Sequence, residues 1–229
     1  MRAKDAILLT AFSLFFGWFI VNSKPTVKDP LAWGEMMLQD TSTYVDTTQP
    51  LDVKSKTALF IGDSHTANFA RGWQKQLSDS VGFIMKNASV SGKTTYWMLE
   101  MGVYKISQGI DYCFVYGGAN DMYTTTITPQ EAVDNIKGIA RMCTKRGIKC
   151  IILTGFDPVK CTRTTNPNYA NKYAIFQQLL LTQYMEGAQV VDTRVVDRRD
   201  CWDDLCHMNP EGHRKIANQV IKVCKFKKI

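Results

Sequence analysis

Four short blocks of this 229-residue chain hold residue types that could do covalent chemistry: Gly62-Asp63-Ser64-His65, Ser91-Gly92, Gly118-Ala119-Asn120-Asp121 and Asp204-Leu205-Cys206-His207. A serine hydroxyl becomes a nucleophile only when a base takes its proton, and the base works best when a carboxylate fixes its tautomer. Asp204 lies three residues before His207, so one turn can bring its carboxylate to the imidazole. His207 is then the candidate base for Ser64. Three donors can face a developing oxyanion: the Ser64 backbone N–H, the Gly92 backbone N–H and the Asn120 side-chain amide. Glycine at 92 would let the backbone come close. The chemistry on offer is attack of Ser64 on a carbonyl carbon.

Each assignment has a plainer rival. Ser64 could cap the helix that follows it. Asn120-Asp121 could be a turn and no more. Asp203 could orient the base in place of Asp204. His213 falls inside the last helix, where it packs or faces solvent rather than serving as base. His65 is either a substrate contact or a polar neighbour in the turn. Cys201, Cys206, His207 and His213 form a compact Cys/His group that superficially suggests zinc, but their spacing fits no tight-knuckle pattern. Cys206 is a poor nucleophile candidate, because it sits directly beside the proposed base.

The elements that must position these blocks alternate. Strand-like runs cover 57–62, 82–90, 111–116, 149–154 and 189–192. Helix-like stretches cover 66–78, 94–107, 129–146 and 168–186, and a last helix begins at Pro210. Pro129 after Thr128 and Pro210 after Asn209 are good first-turn signals. Ile216, Ala217, Val220, Ile221 and Cys224 form one apolar stripe on the last helix. Strands alternating with helices of this length imply a parallel sheet covered on both faces. The first block then ends a buried strand, Ala58-Leu59-Phe60-Ile61, at the carboxyl edge where such sheets bind ligands.

The four blocks, in this order, resemble the SGNH (GDSL-like) hydrolases, whose motifs are G-D-S, a glycine, G-x-N-D and D-x-x-H. The likeness spans about residues 55–224. It implies a three-layer, flavodoxin-like α/β fold with a central parallel sheet of about five strands and helices on both faces. It assigns Ser64, His207 and Asp204 to a catalytic triad and Ser64, Gly92 and Asn120 to the oxyanion hole. It implies a serine esterase that needs no cofactor or metal. One departure is His65, which stands where the family often has leucine and weakens a lipase-like reading. Relatives act on acetyl esters of glycans, lipid esters and thioesters. The expected substrate is an acetyl ester on an envelope or extracellular carbohydrate. The alternatives are O-acetyl transfer to a surface glycan by the same triad, and a catalytically silent anchored binding domain on the same fold.

Composition agrees with one globular domain plus a tail: 45% hydrophobic and 21% charged residues. The net charge of +7 is scattered, which favours an anionic partner without naming one, and no nucleic-acid partner is expected. Residues 1–23 hold the uncharged run Ala6–Val21 behind Arg2 and Lys4, a signal peptide or an N-terminal membrane anchor. Residues 24–55 read as a linker and 56–229 as the domain. The domain is then expected outside the cytoplasm, tethered or released. Seven cysteines leave at least one thiol unpaired within the chain. Cys113 and Cys150 lie in strand-like runs as buried thiols, whereas Cys161, Cys201 and Cys206 are the candidates for a bridge.

Overall fold

The computed structural model describes residues 49–67, 70–123, 126–157, 168–202, 204 and 207–229. The expected signal or anchor segment, most of the linker, Cys161, Asp203 and Cys206 lie outside them. Among the described residues no helix is long and apolar enough to cross a membrane.

Five strands form one parallel sheet: β1 (Thr57–Gly62), β2 (Ile84–Asn87), β3 (Tyr112–Tyr116), β4 (Lys149–Leu153) and β5 (Ala188–Val191). Their spatial order is β2-β1-β3-β4-β5. The central strands β1 and β3 are apolar along almost their whole length because both of their faces are covered. Edge strand β2 alternates between exposed and half-buried residues.

Connections between parallel strands are right-handed, which decides where the helices lie. The step from β1 to β2 runs one way across the sheet and the later steps run the other way. Helix α2 (Trp73–Val81) therefore lies on one face, and α3 (Thr95–Lys105), α5 (Pro129–Lys145) and α6 (Tyr169–Thr182) lie on the other. The last helix, α7 (Pro210–Cys224), returns to pack beside α2. Two short helices, α1 (Ser64–Ala67) and α4 (Ala119–Tyr123), follow the ends of β1 and β3 directly. The order reverses between β1 and β3, and a crevice opens there at the carboxyl edge.

The helix signals hold at two starts. Thr128 and Glu131 form a reciprocal capping box at α5, with Pro129 in the first turn. Asn209 accepts from the Glu211 and Gly212 N–H groups at α7, where Pro210 opens the helix. The stripe Ile216, Ala217, Val220, Ile221 and Cys224 is buried. Two expectations change. The helix expected over 66–78 is two pieces, because Gly72 is extended (ψ 163°) just before α2. The strand expected over 82–90 shrinks to four residues, because Gly82 takes φ +81° to close α2.

The core beneath the crevice is aromatic. Phe60 stacks on Phe114 at 4.8 Å between ring centres, and Trp73 meets Phe60 edge-on at 5.4 Å. Cys113, Cys143, Cys150 and Cys224 are buried thiols. The chain is already packed before residue 56: Val53 is buried, and the Leu51 N–H donates to the Lys225 carbonyl at 2.7 Å.

Candidate active site

Ser64 begins α1 immediately after β1 turns out of the sheet. Gly62 makes that turn possible, because a Cβ there would stand 2.4 Å from the Tyr116 carbonyl oxygen of β3. Asp63 then closes the elbow. Its Oδ1 accepts the His65 N–H at 3.0 Å, and its carbonyl accepts the Thr66 and Ala67 N–H groups. The far end of α1 is held as firmly. Gln74 and Asn87 donate to the Thr66 carbonyl at 2.7 and 2.9 Å, and Trp73 Nε1 donates to Thr66 Oγ1 at 3.3 Å. A four-residue helix has little stability alone, so these bonds fix the direction of the serine.

The fourth block meets the first in space. His207 Nε2 lies 2.9 Å from Ser64 Oγ, and His207 Nδ1 lies 2.7 Å from Asp204 Oδ2. Asp204 Oδ1 also accepts the His207 backbone N–H at 2.9 Å, so both carboxylate oxygens serve one residue. The loop carrying them is pinned. The Trp202 N–H donates to the His207 carbonyl at 2.8 Å, and Cys201 and Met208 form an antiparallel bridge. The Asn209 N–H donates to the Asp200 carbonyl, and the Asp200 carboxylate takes a 2.6 Å ion pair from Lys215 of α7. Cys201 Sγ lies 3.7 Å from the Asp197 carbonyl oxygen, while its proposed bridge partners, Cys161 and Cys206, are outside the described residues.

The second and third blocks meet each other. Asn120 Nδ2 donates to the Lys93 carbonyl at 3.0 Å, which uses one of its two N–H bonds. Gly92 is exposed with φ +75°, and a Cβ there would meet nothing within 4 Å. Glycine is thus needed for the left-handed turn rather than for a close approach. No described contact joins Gly92 or Asn120 to Ser64. What links the second block to the nucleophile is Ser91, which lines the same cleft.

That cleft has a volume of about 320 Å³ and is lined by Ser64, His65, Ala67, Ser91, Trp202, His207, Met208 and His213. All three histidines of the chain face it. His65 is buried rather than a surface neighbour. It stacks on Tyr116 and stands 5.4 Å, ring to ring, from His207. Burial, with further pressure from His207, pushes its pKa down to about 3. His213 packs as well: its Nδ1 accepts the Trp73 N–H at 3.3 Å, and burial lowers its pKa to about 4. Both rings are therefore neutral near pH 7. Asp63 is fully buried and its pKa is pushed up to about 7, by burial first and by neighbouring Asp121 as well. Among the described residues nothing bonds to Asp63 Oδ2.

Asp121 shows more than a turn residue would. It is buried, and its carboxylate accepts both the Thr95 N–H, at 3.0 and 3.1 Å, and the Thr95 hydroxyl, at 2.5 Å. Asn135 of α5 donates to the same hydroxyl at 3.1 Å. Burial raises the Asp121 pKa and the Thr95 bonds pull it back. Thr95, Asn135 and Trp202 did not stand out in the sequence as part of a site. Asp121 did, as the last residue of the third block, but without a role of its own.

A strand-end serine in hydrogen-bonding distance of a histidine, itself bonded to an aspartate, defines the class: a serine hydrolase whose site sits on a parallel sheet flanked by helices. The chain belongs to the GDSL-like Lipase/Acylhydrolase family, whose model matches residues 60–215, and it is a serine esterase of that kind. No curated protein matches it. Among solved structures it is similar to Axe2, an acetylxylan esterase from Geobacillus stearothermophilus, with 17% identity and a TM-score of 0.63 over 77% of this chain and 98% of that one. It is likewise similar to a GDSL-like lipase from Bacteroides thetaiotaomicron, with 17% identity and a TM-score of 0.62 over 77% and 90%. A third is esterase EstA from Pseudoalteromonas sp., with 17% identity and a TM-score of 0.56 over 73% and 96%.

Proposed function

We propose that the protein removes short acyl groups, acetyl above all, from a carbohydrate ester outside the cytoplasm. The observation that carries the reading is the unbroken relay from Asp204 through His207 to Ser64 at 2.7 and 2.9 Å. Ser64 Oγ attacks the ester carbonyl as its proton passes to His207 Nε2. Asp204 holds Nδ1–H and stabilises the imidazolium. The Ser64 and Gly92 N–H groups and the remaining Asn120 N–H receive the oxyanion. His207 returns the proton to the leaving alkoxide, forming the alcohol. Water, deprotonated by His207, then attacks the acyl-serine; His207 passes that proton to the departing Ser64 Oγ, which restores the serine and releases the acid.

The cleft supports a short acyl group. Its 320 Å³ is near the lower end of ligand pockets, and hydroxyls and imidazoles make up much of its lining. The carbohydrate alcohol is supported by Axe2, an acetylxylan esterase whose catalytic mutants replace a serine, an aspartate and a histidine by alanine. The location rests on the uncharged run Ala6–Val21 behind a basic flank. Residues 24–229 should hydrolyse p-nitrophenyl acetate far faster than the long-chain ester, and the Ser64→Ala form should hydrolyse neither. Turnover by folded Ser64→Ala protein would end the serine mechanism. For location, a mature N-terminus near Lys24 indicates cleavage, and retention in the membrane fraction indicates an anchor. A reporter fused after residue 229 that is active only in the cytoplasm would refute both.

A further inference from the structure

The wall of the cleft carries one indole that the hydrolysis itself does not require. Trp202 lines the cleft beside Ser64, Ser91 and His207, yet it is 55% exposed. Trp73, by contrast, is fully buried in the core. The Trp202 backbone is tied to the base, because its N–H donates to the His207 carbonyl at 2.8 Å. The indole therefore emerges from a backbone that is fixed relative to the reacting atoms.

The other exposed aromatics are not scattered evenly. Five are exposed among the described residues: Tyr96, Tyr104, Tyr123, Tyr184 and Trp202. Tyr96 begins α3 after β2, Tyr123 ends α4 after β3, and Trp202 precedes α7 after β5. All three sit on segments at the carboxyl edge of the sheet, the edge that holds Ser64. Tyr104 and Tyr184 sit at the far ends of α3 and α6, toward the opposite edge.

An indole face at the mouth of a reactive cleft offers a flat, partly apolar ligand group a surface to cover. A pyranose ring fits. One of its faces is a patch of C–H bonds, and its hydroxyls point outward to the solvent. A long acyl chain would instead need an enclosed apolar tunnel, whereas this cleft has a volume of about 320 Å³ and carries two serines and three histidines in its lining.

We propose that Trp202 is the stacking platform for the pyranose ring whose acetyl group is presented to Ser64. The proposal rests on the esterase reading above and specifies how the alcohol part of the ester is held. Stacking acts before and during reaction alike, so it shows mainly in KM.

The test uses the full chain with acetylated xylo-oligosaccharides and p-nitrophenyl acetate. Trp202→Ala should lower kcat/KM on the oligosaccharides by about tenfold more than on the aryl ester, mostly through KM. Trp202→Phe should recover most of the difference. Equal losses on the two substrates, or no loss on the oligosaccharides, would overturn the proposal. A thermal melt of Trp202→Ala checks that the loop stays folded. Binding is tested separately in Ser64→Ala by quenching of tryptophan fluorescence with the same oligosaccharides. Saturable quenching that disappears in Ser64→Ala/Trp202→Phe supports the platform, and no quenching overturns it. If the wild-type chain hydrolyses neither ester, the esterase reading fails, while the titration still decides the role of Trp202.

Discussion

At the scale of single residues, the proposed reaction depends on one imidazole with both ring nitrogens engaged. Ser64→Ala and His207→Ala should each abolish nearly all esterase activity, and the double variant should be hardly worse, because the pair acts as a unit. Steady-state rates of the three purified proteins decide this. The geometry separates Asp204 from its neighbour, since both Asp204 oxygens already serve His207. Asp204→Asn should lower kcat by up to about 10⁴, whereas Asp203→Asn should leave it within a few-fold of wild type. A larger loss from Asp203→Asn would reverse the assignment. Asn120 has one amide N–H on the Lys93 carbonyl and one left for the oxyanion. Asn120→Ala should reduce kcat by about 10²–10³ with KM little changed, measured per folded molecule. A normal kcat for that variant would make Asn120 scaffolding only.

At the scale of elements, two helices beside the site begin without a capping side chain of their own. The caps of α2 and α3, Gly72 and Thr94, make no side-chain bond. Distant residues take over. His213 of α7 accepts the Trp73 N–H at the start of α2, and Asp121 of α4 accepts the Thr95 N–H at the start of α3. The buried carboxylate also suits the positive end of α3. Each substitute cap ties together two elements beside the cleft. Asp121 holds the turn that carries Gly92 against the helix that carries Asn120, so it is a positioning residue for both proposed oxyanion donors. Asp121→Ala should cost about 1–3 kcal/mol of stability by leaving the Thr95 donors unsatisfied. It should also lower kcat per folded molecule, by no more than the roughly 10²–10³ of losing a donor outright, with KM nearly constant. A loss of stability with normal kcat would show that Asp121 supports the fold alone.

At the scale of the whole molecule, three buried groups set how stability depends on pH. His65 and His213 titrate in the fold at about 3 and about 4, below their ordinary 6.5. As pH falls below 6.5 the unfolded chain takes up protons that the folded chain refuses, so stability declines. Asp63 acts in the opposite direction. Its pKa rises from 3.8 to about 7, so the folded chain holds a proton that the unfolded chain has lost, and stability declines as pH rises from about 4 to 7. Two histidines outweigh one aspartate between pH 4 and 6.5, and this part of the stability profile should climb to about 6.5 and then level. Asp63→Asn should stabilise the protein by on the order of 4 kcal/mol at pH 8 and much less at pH 5. His213→Asn keeps an acceptor for the Trp73 N–H and should flatten the acid limb by roughly 3 kcal/mol at pH 4 and below. Urea midpoints across pH 4–8 check both. An Asp63→Asn gain that is the same at pH 5 and pH 8 would mean that Asp63 does not titrate in that range.

The amino-acid sequence by itself determined the alternation of strands and helices, the parallel sheet and the four blocks on its connecting loops. Those features are written in local periodicity and in cap residues such as Thr128-Pro129 and Asn209-Pro210. It also determined that Asp204 and His207 can meet, because one turn separates them. Contacts between residues far apart in the chain belong to the tertiary structure alone. Ser64 and His207 are 143 positions apart, and only the packing of α7 beside α2, with the loop before α7 pinned at Asp200, Trp202 and Met208, brings them to 2.9 Å. The same holds for Asp121 on Thr95 and His213 on Trp73: a helix start with an ordinary glycine or threonine cap does not reveal that its free N–H is satisfied from another element. Exposure, too, is decided only in three dimensions. His65 in a polar turn turns out buried against Tyr116, and Trp202 in a charged loop turns out exposed on the cleft, because burial depends on which surfaces the sheet and helices bring together rather than on sequence neighbours.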